Sequence, residues 1–428
     1  MALGRSNNST KSSRNLLMVF LVMITFFAIS FLTNILGAIL PNAKDDFNLT
    51  LTMAGFLPFA FFIAYGIMSI PAGLMLEKYG EKKIMILSFI IASIGNFVFI
   101  LKPSFPTFLF SLFVVGGAMA MLQVIINPLL RTSGGEENYS FNSVLAQLIF
   151  GLGSFISPLV FTYLVVNIKN ENFSDPVIRL LASIVPPNIL WVSIYCVCLL
   201  ISLIMLVVVS FIKFPQVELK ADEKVESGKL LVELIKNKVV IMYFFGIFVY
   251  VGTEQGFNNC ISNFLKTYHG CDPVTVGAGA ISNFWLYMTI GGIVGLGLLK
   301  LFDVKKVLGA FVVLTMVFLG FALLGSKQVA LFSFSACGFL LSVMYPSIFS
   351  LALNSVEKNQ GTFAGILCCA ICGGAIIPLI IGIIGDYLGL KISMYFLYLT
   401  LAYMLYIAIF SKPLIQNETI FNKKTINN

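Results

Sequence analysis

Glu254 is the residue most able to do chemistry. It is read as the only carboxylate inside a hydrophobic span, in YVGTEQGFNNCISNF, residues 250–264. An ionisable side chain at membrane depth costs about 2.5–3.5 kcal/mol on insertion scales, and such residues normally face a cavity or a partner. Glu254, Asn258 and Ser262 recur every four residues, and Gln255, Asn259 and Asn263 form a second row beside them. On a helix the two rows merge into one polar face. Carboxylate, amide and hydroxyl groups together donate and accept hydrogen bonds, which suits a polyhydroxy ligand. The competing reading is a polar zipper between helices.

Other spans add fewer groups. Ser30, Asn34 and Gly37 share a face at i, i+4, i+7, and Gln123 and Asn127 lie at i, i+4 ahead of Pro128. Pro128 frees a carbonyl and can bend its helix. Gln147 stands alone in the fifth span. Tyr345-Pro346 sits where Asn127-Pro128 sits in the first half. Taken singly, each reads as structural before it reads as ligand-binding; together they come from both halves of the chain, as a central cavity requires. Trp285, between Phe284 and Tyr287, either stacks on a sugar ring or fills the core. Trp191 is expected as an interfacial anchor.

The elements that must hold these residues are membrane helices. The chain of 428 residues is 58% hydrophobic and 11% charged, with a mean hydropathy of +0.96. Soluble domains carry about 25% charged residues, so one water-soluble core is excluded. A spanning helix needs about 20 apolar residues. That rule predicts twelve, over 16–40, 53–76, 84–101, 107–130, 142–166, 190–212, 239–264, 277–299, 305–325, 329–353, 362–385 and 391–411. The first is too long for a signal-peptide core and is expected to span. Of the 27 Lys and Arg residues, 20 fall on the side that holds both termini and 7 on the other. The positive-inside rule then puts both termini in the cytoplasm, with the chain integral to the inner membrane. The net charge of +8 is explained by these loops, with no basic patch for nucleic acid. The loop 167–189 is expected to be a partly ordered outer cap.

The longest connection on the basic side, 213–238, contains ELKADEKVESGK and divides the chain into six-helix bundles over 1–212 and 239–428. A 6+6 division with a charged central loop outlines a two-bundle transporter with a midplane cavity. Most of the eight cysteines fall in apolar spans, Cys260 is expected to be buried, and only Cys271 is expected to be exposed. Cys368-Cys369-x-x-Cys372 has no histidine or carboxylate nearby in sequence, so it reads as helix packing and no metal site is expected.

Residues 73–83 read GLMLEKYGEKK. Gly73 permits close helix contact and Gly80 a tight turn. Glu77 can pair with a cation or cap a helix, and Lys78, Lys82 and Lys83 anchor the loop. A looser echo, GIIGDYLGLK at 382–391, is read as a tight outer turn and not as a second gate.

At these motifs the chain resembles the major facilitator superfamily, whose signature G-x-x-x-D-R-x-G-x-[KR]-[KR] gives residues 73–83 a gating role, with Glu77 for Asp and Lys78 for Arg. INPLL, LAQ, YVGTEQ, MYPSIFSL and GGAIIP narrow the resemblance to its fucose–galactose–glucose branch. It implies an all-α fold of twelve transmembrane helices in two six-helix bundles, alternating access and a monosaccharide substrate. It also implies that Asn34 and Gln147 contact sugar and that Glu254 matches the Glu of glucose/galactose members. Two acids that carry proton coupling in the fucose carriers are Gly37 and Gln123 here, and a Gly-Arg of many glucose members is Gly291-Gly292.

The expected function is therefore monosaccharide transport by a monomer without a resident cofactor. Cation-coupled uptake is preferred over an uncoupled facilitator, an exporter of small polar metabolites or drugs, or a transport-dead sensor. Asn34, Gln123, Asn127, Gln147, Gln255, Asn258 and Asn259 would bind hydroxyls and Trp285 would stack. Glu254 would carry a proton, ligate sodium or only accept hydroxyls.

Overall fold

The computed structural model describes residues 15–135, 139–171, 175–214, 234, 236–356 and 360–414. Among the described residues, twelve helices are long and apolar enough to cross a membrane. They are α1 Leu16–Asp46, α2 Leu51–Leu76, α3 Glu81–Leu101, α4 Phe105–Gly134, α5 Phe141–Lys169, α6 Leu190–Phe211, α7 Lys238–His269, α8 Pro273–Leu301, α9 Val304–Leu324, α10 Lys327–Leu353, α11 Phe363–Leu388 and α12 Leu390–Phe410. All twelve expected spans are present. The central stretch 215–233 and residue 235 lie outside the described residues.

Helices dominate because lipid offers backbone groups no partner, so each span must close its own hydrogen bonds. Caps start several of them: Thr50 accepts from Met53 N at 3.2 Å, Asn237 from Val239 N at 2.9 Å and Asp303 from Lys305 N at 2.9 Å. Even so, α1 breaks at Ile35, between Leu16–Asn34 and Leu36–Asp46, and α10 breaks between Leu341 and Met344. Pro346 removes the N–H that the Ser342 carbonyl would otherwise receive, which weakens the helix at that break.

Four expectations need correction. The first span does not stop at residue 40: a fresh helical segment starts after Ile35 and carries Pro41 inside it to Asp46. Asp45, Asp46 and Asp386 therefore sit at helix ends, and Glu254 is the deep carboxylate, not the only one in a span. Trp191 is no interfacial anchor but 2% exposed. Its indole N–H donates to Asp46 Oδ2 at 2.7 Å, and its ring packs among Phe99, Phe108 and Tyr195. Cys271 is buried as well. Gly270 takes a left-handed conformation, φ 61°, and turns the chain so that Cys271 N donates to Leu265 O at 3.2 Å, the C-terminal wrap of a helix.

One face of the molecule carries the first residue of α1 and the last of α12; it is called here the terminal face, and the opposite one the distal face. On the terminal face Lys82 donates to the carbonyls of Ser210 at 2.8 Å and Ile212 at 2.9 Å, capping the end of α6. Lys305 does the same for α12, donating to Ile409 O at 3.2 Å and Ser411 O at 2.6 Å. A cation at a helix C-terminus contributes about 0.3–1 kcal/mol. Lys82→Met and Lys305→Met should each lower the thermal midpoint slightly and by similar amounts, whereas the exposed Lys83→Met should not. On the distal face, Asp175 caps the short helix Pro176–Ile184. The Val177 N–H is the main influence holding its carboxyl below the usual carboxylate range.

Candidate functional site

The middle of α7 builds the site. Tyr250 donates its hydroxyl to Glu254 Oε2 at 2.9 Å. Gln255 Nε2 donates to Glu254 Oε1 at 3.2 Å and, at the long limit of 3.5 Å, to Asn34 Oδ1 on α1. Asn34 Nδ2 donates to Ser154 Oγ on α5 at 2.8 Å. In the other direction Asn258 Nδ2 donates to Gln255 Oε1 at 3.4 Å, and Trp285 Nε1 on α8 donates to Asn258 Oδ1 at 3.0 Å. One chain of hydrogen bonds thus runs from Ser154 and Asn34 in the first half to Tyr250, Glu254, Gln255, Asn258 and Trp285 in the second. Its members are buried except Glu254, which is half-buried.

The close approach of α1 to α7 rests on Gly37. A Cβ there would lie 2.1 Å from the Asn258 carbonyl oxygen, so this position admits no side chain while the two helices are in contact. The absence of an acid at Gly37 thus has a packing reason in this arrangement.

The remaining expected residues divide. Asn127 and Gln147 are exposed and Gln123 is half-buried. Asn127 and Gln147 lie in the terminal-facing halves of α4 and α5, and no hydrogen bond ties any of the three to the chain above. Asn259 turns away: its Nδ2 donates to Gln255 O at 2.8 Å while its Oδ1 is buried without a partner. It lines a cavity of about 30 Å³ with Asn263, Pro58 and Pro378. Ser262 packs against Gly277, where a Cβ would meet its hydroxyl oxygen at 2.2 Å. The six-residue polar face is real, but only Glu254, Gln255 and Asn258 share the network. Ser30 makes a local bond to Phe27 O at 2.9 Å.

Trp285 is 3% exposed. Trp285→Phe would leave Asn258 Oδ1 without its donor, and an orphaned buried acceptor costs about 1–3 kcal/mol. A clear drop in the unfolding midpoint is expected. Lost sugar affinity at an unchanged midpoint would instead mark Trp285 as a stacking residue.

In the gating loop Gly80 takes φ 78°, a backbone that favours glycine, and Lys82 is the helix cap described above. Gly73 is half-buried, and Lys78 is exposed with its ammonium 5.1 Å from the Tyr79 ring centroid. The side chain of Glu77 lies outside the described residues. Sequence reasoning missed Ser154, Tyr250 and Lys305. Lys305 had a signal: Lys82-Lys83 and Lys305-Lys306 both open the helix after a short turn.

The buried polar network joins the two halves of a helical membrane protein at mid-depth. The chain belongs to the Major Facilitator Superfamily, whose model matches residues 22–377. It is 30% identical over 381 residues to a glucose/galactose transporter of Brucella abortus, covering 86% of this chain and 88% of that one. It is 23% identical over 400 residues to the L-fucose-proton symporter of Escherichia coli, covering 88% and 89%. The fold matches the solved Escherichia coli fucose:proton symporter with a TM-score of 0.65 at 20% identity, over 94% of this chain and 100% of that one. It also matches a bacterial homologue of the human lysosomal transporter Spinster, at 0.73, with 14% identity and 94% and 98% coverage.

Proposed function

We propose that this protein carries a monosaccharide, a hexose or a fucose-like sugar, across the inner membrane by alternating access, with uptake coupled to a cation. Its terminal face would be cytoplasmic, as the distribution of Lys and Arg predicts. The observation that carries the reading is the Asn34–Gln255–Glu254 link. It joins the halves through groups a sugar hydroxyl can replace, and its inter-half bond is the longest of the set at 3.5 Å. A ligand that donates to Glu254 and bridges Asn34 to Gln255 would take over bonds the protein makes with itself, so binding leaves no amide orphaned. Gln123, Asn127 and Gln147 would meet the same sugar from α4 and α5. The relatives named for glucose, galactose and fucose support this substrate class.

Glu254 is the coupling candidate, since Gly37 and Gln123 cannot titrate. The expected partners are the sugar, the bilayer and a proton or sodium ion, with a monomer as the working unit and the halves 1–212 and 239–428 moving as bodies. The test is a thermal-shift screen of the purified protein against monosaccharides, with and without sodium and across pH. A ligand at a hundredfold over Kd stabilises by about 2.7 kcal/mol. At least one aldohexose or 6-deoxyhexose should raise the midpoint. A shift with nucleosides or drug-like cations, and with no sugar, would replace this reading by the exporter.

A further inference from the structure

We infer that Asp386 is the distal gate residue of the transport cycle, a latch that holds the distal face shut by capping α2 from the opposite half. It lies in the segment read from sequence as a simple turn. That segment repeats the spacing of the gating loop: Gly382, Asp386, Gly389 and Lys391 stand as Gly73, Glu77, Gly80 and Lys82 do. The two turns share a backbone, with Gly80 at φ 78°, ψ 164° and Gly389 at φ 83°, ψ 154°. At the distal copy, Asp386 Oδ1 accepts from Leu51 N at 2.7 Å and Oδ2 from Thr52 N at 2.9 Å.

Leu51 and Thr52 are the first residues of α2, so both bonds fall on N–H groups that the helix leaves unpaired, at its positive end. Charge-assisted bonds of this kind are the strong ones. The fit is close, since a Cβ on Gly382 would lie 2.4 Å from the Leu51 carbonyl oxygen. Around it, the other hydrogen bonds and ion pairs between the halves among the described residues are also distal or central. Lys266 pairs with Asp45, Thr162 donates to Val274 O at 2.5 Å, and Ser282 donates to Phe155 O at 2.9 Å. A carrier that opens its distal face must break the Asp386 bonds.

The test reads distal opening without substrate, so it stands whether or not a sugar is the cargo. Cys260 is buried and lines the small cavity beneath the latch, beside Leu51 and Gly382. Its rate of alkylation by a polar maleimide, mapped by mass spectrometry on the full chain in detergent, reports opening. Asp386→Ala, which removes both bonds, should raise that rate about tenfold, and Asp386→Asn, which keeps one acceptor but loses the charge and the second bond, should raise it by less. Cys198 and Cys337, buried away from the gate, should stay unreactive. An unchanged Cys260 rate overturns the inference. So does a parallel rise at Cys198 and Cys337, because Asp386 would then hold the fold together and not the gate.

Discussion

Glu254→Gln should abolish uphill accumulation of sugar in energised vesicles while leaving counterflow and exchange. The carboxylate is the only titratable group on the Asn34–Gln255–Asn258 network apart from the Tyr250 phenol that donates to it. An amide has nearly the same shape, and its oxygen can still accept from Tyr250. Its nitrogen, however, would face Gln255 Nε2, a donor against a donor. That lost bond is worth about 0.5–1.5 kcal/mol, so sugar affinity should fall a few-fold, far less than the loss of concentrating power. The accumulation ratio should drop to about one, because the variant's site has no carboxylate to carry the coupling charge and only equilibrates its cargo. Wild-type accumulation by Glu254→Gln would remove Glu254 from coupling and leave the uncoupled facilitator as the reading of a protein with Gly37 and Gln123 in place of acids.

Much of this was legible in the sequence, because lipid simplifies the code. A run of twenty apolar residues has only one way to satisfy its backbone, so the spans, the polar face of α7 and the turn at Gly80 could be read directly. What could not be read was the partner of each face. Trp191 looks interfacial from its place at the start of a span; it is buried because Asp46, on a helix 145 residues away, supplies its acceptor. Asn259 and Asn258 are neighbours in sequence and chemically identical, yet one joins the network and the other faces a separate small cavity, since a 100° step along α7 changes which helix is met. Asp386 looked like a turn residue because nothing local reveals that its carboxylate reaches another helix's first turn. Periodicity gives the face; only packing gives the neighbour.

Gly37 offers the sharpest test of that packing. Gly37→Ala should cut transport at least tenfold while leaving the protein folded. The added Cβ would sit 2.1 Å from the Asn258 oxygen and 2.8 Å from its carbonyl carbon. Both are backbone atoms in a hydrogen-bonded helix, so no rotamer change makes room. Instead α1 and α7 must move apart by roughly an ångström to reach ordinary van der Waals separation. The Gln255–Asn34 bond, already 3.5 Å long, would be lost first. Overpacking of this kind costs about 1–3 kcal/mol, and each 1.4 kcal/mol is a factor of about ten between two states. The penalty falls on the distally closed state alone, because a distally open state parts the same helices. The variant should therefore accumulate with its distal face open: Cys260 should alkylate faster, as in Asp386→Asn, and the unfolding midpoint should move little. Gly37→Asp should behave the same way and should not create coupling, since its carboxylate would wedge the helices before it could serve them. Wild-type transport by Gly37→Ala would mean that the α1–α7 contact is not passed through in the working cycle.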